Sequence, residues 1–181
     1  LPPITFAPAA SEIKAATAVF FLGEEQDLPP GLIRLGSEAE SFLRKAIDVN
    51  GFKRKRKSIL DVVAPPSIPL GRIVIVGLGA ASTLSPKDWL DFGGAVRGKI
   101  SGKSIDVCAS FDEAAGLTAD AAIGFALGFA LRSYSFHKYK SKSAASADGD
   151  EGTPPPDQEE PKLSIRSPWA SGLAERFEKA A

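Results

Sequence analysis

The run Arg72-Ile73-Val74-Ile75-Val76 constrains this chain more than any other feature. Side chains alternate across a strand, so a strand with one wet face alternates apolar and polar residues. Apolar, β-branched residues at both parities require cover on both faces, which places this strand in the middle of a sheet with helices above and below. The run ends in Gly77-Leu78-Gly79, a turn where the strand leaves the sheet.

The remaining pattern alternates strands with helices. Ile4 to Ala7 is a short strand, and Ala18 to Leu22 (AVFFL) is a buried one, followed by a polar Gly/Pro turn through Gly31. Ser37 and Glu40 have capping-box spacing, in which each side chain satisfies an exposed backbone N–H of the first helical turn. Ala39, Phe42, Leu43, Ala46 and Ile47 then share one helical face. Ser58 to Ala64 is a further strand. The next helix has Ser85 as N-cap, Pro86 at the first helical position and Asp88 in the first turn, with Leu84 and Trp89 spaced as a hydrophobic staple. Ser104 to Ser110 is a strand, and Thr118 to about Tyr134 a long apolar helix. Its Gly124 and Gly128, four residues apart, let another element approach its backbone closely. Lys162 to Arg166 alternates like an edge strand, and a last helix from Ser167-Pro168 sets Trp169, Leu173 and Phe177 on one face. These elements predict an α/β fold of three layers, a mixed β-sheet flanked by helices. The segment 141–161, with Pro154-Pro155-Pro156 and six acidic residues, has no apolar periodicity and reads as a disordered loop or linker. The division is therefore a domain at 1–140, an acidic Pro-rich linker at 141–161, and a strand with a connector helix at 162–181.

Composition removes several function classes. Lys plus Arg equal Asp plus Glu at 22 each, a balance that argues against a dedicated nucleic-acid module. The longest uncharged apolar run, Ala121 to Leu131, falls short of the roughly 20 residues a membrane span needs. The start, Leu1-Pro2-Pro3-Ile4, has no basic region followed by an apolar one, as a signal peptide would. A single Cys108 cannot form an internal disulfide and points to a reducing, cytoplasmic setting. With one His and one Cys, no closed zinc site of His/Cys type can be assembled. His137 reads as a surface histidine in a basic tail, and Cys108 as an inert core thiol. Gly77-Leu78-Gly79 is a poor dinucleotide fingerprint: the third glycine position holds Ser82, and the helix starts too late to face the turn.

One charge run stands out. Lys53-Arg54-Lys55-Arg56-Lys57 is five consecutive cations, read either as a solvated loop or as a phosphate-contacting patch. In an extended loop at most about three of the five face one surface, and three contacts on duplex DNA give a log–log salt slope of about −2.7, weak and sequence-independent.

The segments Gly51-Phe52-Lys53 and Ser58-Ile59-Leu60, the strand Arg72 to Val76 with Gly77-Leu78-Gly79, the helix from Trp89 through Gly93-Gly94-Ala95, and Gly128, Leu131, Tyr134, Phe136, Tyr139 and Lys140 occur in a characteristic order. In that order the chain resembles the N-terminal domain of leucyl aminopeptidases over nearly its whole length, departing at Arg54, where the family often has glycine, and in its long acidic insert. The resemblance implies a macro-domain-like α/β fold and a role as the non-catalytic assembly or regulatory domain of a peptidase that releases N-terminal amino acids. It implies a C-terminal catalytic domain as partner, a hexamer as the whole enzyme, and two divalent metals, zinc or manganese, in that other domain. The family's ligand motifs, asparagine-threonine-aspartate-alanine-glutamate-glycine-arginine and a loop ending phenylalanine-aspartate-serine-glycine-glycine, do not occur here, so no catalytic, metal or cofactor residue is carried onto this chain. The final helix resembles the connector into the catalytic domain, and the chain reads as an N-terminal fragment without peptidase activity of its own. Two alternatives stay open: a macro-like module binding ADP-ribose or a nucleotide, although the asparagine-rich segment of such binders is not seen, and weak DNA binding through Lys53 to Lys57.

Overall fold

The computed structural model describes residues 2–66, 68–100, 106–112, 117–140 and 161–181, with side chains described through Ser133 in the long helix that ends at 140. The strands are β1 (Ile4–Pro8), β2 (Thr17–Gly23), β3 (Ile59–Val63), β4 (Arg72–Gly79), β5 (Asp106–Ser110) and β6 (Lys162–Ser167). The α-helices are α1 (Pro30–Ile33), α2 (Ser37–Val49), α3 (Pro86–Lys99), α4 (Ala119–Lys140) and α5 (Ala170–Ala180). One sheet takes the order β1-β6-β5-β2-β4-β3, parallel throughout except for β3, which runs antiparallel to β4. The mixed three-layer sheet inferred from the strand pattern is what forms.

The two parities of β4 feed two separate cores. Val74, Val76 and Leu78 join Val19 and Phe21 of β2 under α3, α4 and α5. Ile73 and Ile75 join Ala18, Phe20 and Leu22 under α1 and α2. The first core is centred on aromatic contacts of Phe21 with Trp89, Phe111 and Phe125, at ring-centroid distances of 5.5, 4.6 and 5.3 Å. The α3–α4 pair packs backbone to backbone. A Cβ at Gly93 would lie 2.0 Å from the Phe125 carbonyl oxygen, and one at Gly128 would lie 2.0 Å from that of Leu90.

Helix starts divide between expectation and correction. Ser85 caps α3 as its spacing predicts: its hydroxyl accepts from the Asp88 N–H, and the Asp88 carboxylate accepts from the Ser85 N–H at 2.8 Å. Leu84 and Trp89 join the same core. The capping box expected at Ser37 does not form. Gly36 (φ 108°) is the N-cap of α2, and the Glu40 carboxylate turns outward to Arg44 instead. The turn expected through Gly31 holds the short helix α1.

Lys162–Ser167 is not an edge strand. It lies inside the sheet, paired in parallel with β1 on one side and β5 on the other. Alternation of Leu163 and Ile165 with Ser164 and Arg166 reports one helix-covered face, and that condition an interior strand also meets when its second face lies under a loop. Helix α5 follows it and sets Leu173 and Phe177 into the first core, with the Phe177 ring 5.9 Å from Phe6 of β1. The linker reading at 141–161 lies outside the described residues except for the buried Pro161.

Candidate functional site

The basic run does not form an extended loop. Arg54 (φ 56°) and Lys57 (φ 66°) adopt left-handed backbone, so the segment folds back across the end of β4. The Gly79 N–H donates to the Arg54 carbonyl at 2.9 Å, the Lys57 N–H to the Gly77 carbonyl at 3.0 Å, and the Gly77 N–H to the Ser58 carbonyl at 2.8 Å. This crossing explains Gly77-Leu78-Gly79. A Cβ on residue 77 would stand 2.4 Å from the Lys55 carbonyl oxygen, and residue 79 has φ +67°. These glycines admit a neighbouring backbone rather than simply turning the chain.

Three of the five cations are bound within the chain. The Arg54 guanidinium donates to the carbonyls of Glu24 and Gln26. Arg56 donates to the Thr83 carbonyl at 3.2 Å and to its hydroxyl, and lies 3.6 Å from the Asp88 carboxylate. Lys57 pairs with Asp91 at 2.6 Å, and Lys87 reaches the same oxygen at 3.0 Å. Bonds from the Ser85 hydroxyl and backbone N–H, helped by the charges of Arg56 and Lys57, hold Asp88 below the ordinary carboxylate range. Lys57 and Lys87 do the same for Asp91. Lys53 and Lys55 are exposed and form no ion pair with a described residue. Of the residues expected to contact nucleic acid, the structure thus leaves two available and uses Arg54, Arg56 and Lys57 as braces.

Beside this loop a cleft of about 360 Å³ opens at the carboxyl ends of β2 and β4, between residues 23–26 and 79–82. The chain leaves β2 toward α1 and α2 but leaves β4 toward α3 on the opposite face, the arrangement in which parallel sheets form ligand crevices. Its charge does not suit a phosphate. Glu24 and Glu25 line it, and the nearest guanidinium, Arg54, is committed to backbone carbonyls.

Among the described residues no three His, Cys, Asp or Glu side chains gather as a metal site. Cys108 is 3% exposed, and burial pushes its thiol up to about 11, so it is neither a thiolate ligand nor a nucleophile near neutral pH. The side chain of His137 lies outside the described set. Among the described residues no donor set for a two-metal centre is assembled. The sequence gives no sign of Asp112, a 2% exposed carboxylate that accepts from the Gly31 N–H at 2.8 Å and the Ser110 hydroxyl at 3.3 Å, with Arg34 at 3.5 Å. It pins α1 to the end of β5, and only the fold brings its partners together.

Residues 18–143 match the family described as "Cytosol aminopeptidase family, N-terminal domain". The chain belongs to this family, as its N-terminal domain. A probable cytosol aminopeptidase of Rhizobium etli (strain CIAT 652) is 36% identical over 176 residues, which are 96% of this chain and 33% of the relative. A counterpart in Methylorubrum populi is 34% identical over 140 residues, 77% of this chain and 28% of that protein. The chain thus spans about a third of the length of the curated relatives it matches. Among solved structures, a tomato leucine aminopeptidase mutant superposes with a TM-score of 0.65 at 21% identity, covering 99% of this chain and 35% of that one. The bottromycin maturation enzyme BotP superposes at 0.55 with 14% identity, over 89% of this chain and 29% of its own. At these identities the superpositions establish the α/β fold.

Proposed function

We propose that this domain is the non-catalytic assembly domain of a two-metal aminopeptidase that releases N-terminal amino acids from peptides. The observation that carries this reading is the coverage: the match falls on the family's N-terminal domain, while the relatives called aminopeptidases are about three times longer. In this reading a C-terminal domain supplies the zinc or manganese pair, the whole protein is a cytoplasmic hexamer, and this domain shapes its contacts. The test is hydrolysis of a leucine anilide by the purified chain with zinc or manganese. No turnover above background is expected, and chelator-sensitive turnover would refute the reading.

DNA binding through the basic loop is a secondary reading, favoured by the exposure of Lys53 and Lys55. Two phosphate contacts give a log–log salt slope of about −1.8 on duplex DNA, shallower than five cations would suggest. Binding is expected at low salt only, and Lys53→Ala with Lys55→Ala should remove it without loss of stability. Ala at Arg54 or Arg56 is a poor probe, since it would also unbrace the loop. Sequence-selective binding that survives physiological salt would contradict this account.

A further inference from the structure

The second core stops at β2, and no residue of β5, β6 or β1 joins it. Over that half of the sheet lies the loop 9–16, and between loop and strands is a cavity of about 490 Å³. It is lined by Ser11, Glu12 and Lys14 from the loop and by Cys108, Ser164 and Arg166 from β5 and β6. Ser164 and Arg166 point here because Leu163 and Ile165, at the other parity, enter the first core.

Arg166 is the anomaly. It is 4% exposed, yet no carboxylate lies within ion-pair distance among the described residues. Its guanidinium donates to the Ala9 carbonyl, while its Nε–H is buried with no partner. A guanidinium is always charged and carries five N–H donors, so burying it unpaired is costly. Glu12, on the rim of the same cavity, is exposed and pairs with neither Arg166 nor Lys14. The cavity thus holds a buried cation, two hydroxyls and a second cation in its lining, and its one carboxylate, Glu12, is not paired with the guanidinium.

We propose that this cavity is a binding site for a small oxyanion, a carboxylate or phosphate group, held by Arg166 with Lys14 and the hydroxyls of Ser11 and Ser164. The planar fork of the guanidinium matches either group, and the unused Nε–H is the donor such a ligand takes up. This site is separate from the basic loop and does not depend on the peptidase reading.

The test is the melting temperature of the full 181-residue chain in chloride, phosphate and acetate buffers of equal ionic strength at pH 7. Phosphate or acetate should raise it along a saturating one-site curve, and the more effective anion names the ligand class. Arg166→Met should abolish that rise while keeping or raising the melting temperature in chloride, because it removes a buried charge that has no ion-pair partner. Lys14→Ala, an exposed change, should weaken anion affinity several-fold and leave the chloride value unchanged. An equal rise in wild type and Arg166→Met would be a general salt effect and would overturn the proposal, as would no rise with either anion. Should Arg166→Met fail to fold, the Arg166 Nε–H resonance of the wild-type chain decides. A saturable shift on adding phosphate or acetate supports the site, and an unmoved resonance refutes it.

Discussion

At Gly128 a single methyl group is too much. The reciprocal approach of Gly93 and Gly128 to the carbonyls of Phe125 and Leu90 leaves no room for a Cβ unless the α3 and α4 backbones separate. Gly128→Ala should therefore cost about 1–3 kcal/mol or more by urea denaturation, the range for overpacking a well-filled core. Gly172 is the internal control. It lies in α5 with nothing within 4 Å of its built Cβ, so Gly172→Ala should be neutral or gain about 0.5–1 kcal/mol of helix propensity. If the two variants lose stability equally, close helix contact is not what Gly128 provides. The spacing of Gly124 and Gly128 already announces this approach. Nothing in the sequence announces that Gly77 serves the same end, since its partner is backbone at Lys55.

The elements were legible where a local rule decides them and obscure where a distant partner does. Ser85, Pro86 and Asp88 set the start of α3 through bonds within four residues, so spacing alone finds it. Ser37 and Glu40 have the same spacing, but Arg44 competes for the Glu40 carboxylate and Gly36 provides the cap conformation. The place of β6 depends on which strands flank it, and alternation carries no information about that. The α3 cap makes a pH prediction. Asp88 is held below its unfolded value of about 3.9, so its contribution is fully present above that pH and is lost as pH falls through the lower folded value. Ser85→Ala should cost about 1 kcal/mol near neutrality. The deficit relative to wild type should shrink as the pH drops below about 4, when the wild-type carboxylate is protonated. A deficit that is constant with pH would show that the Asp88 charge adds nothing to the cap.

Across the described residues one sheet separates two cores, with a basic loop braced by its own chain and an acidic cleft at the ends of β2 and β4, and a buried Arg166 that has no ion pair among those residues. The most direct measurement uses the Rhizobium etli relative, which matches 96% of this chain over 33% of its own length. Its matching segment would be deleted in one variant and replaced by this chain in another, and each product's sedimentation mass and leucine anilide hydrolysis would be measured. The account predicts that the chimera assembles as a hexamer and retains activity within a few-fold, while the deletion variant falls to smaller species with little activity. A deletion variant that assembles and hydrolyses as well as the intact relative would contradict it.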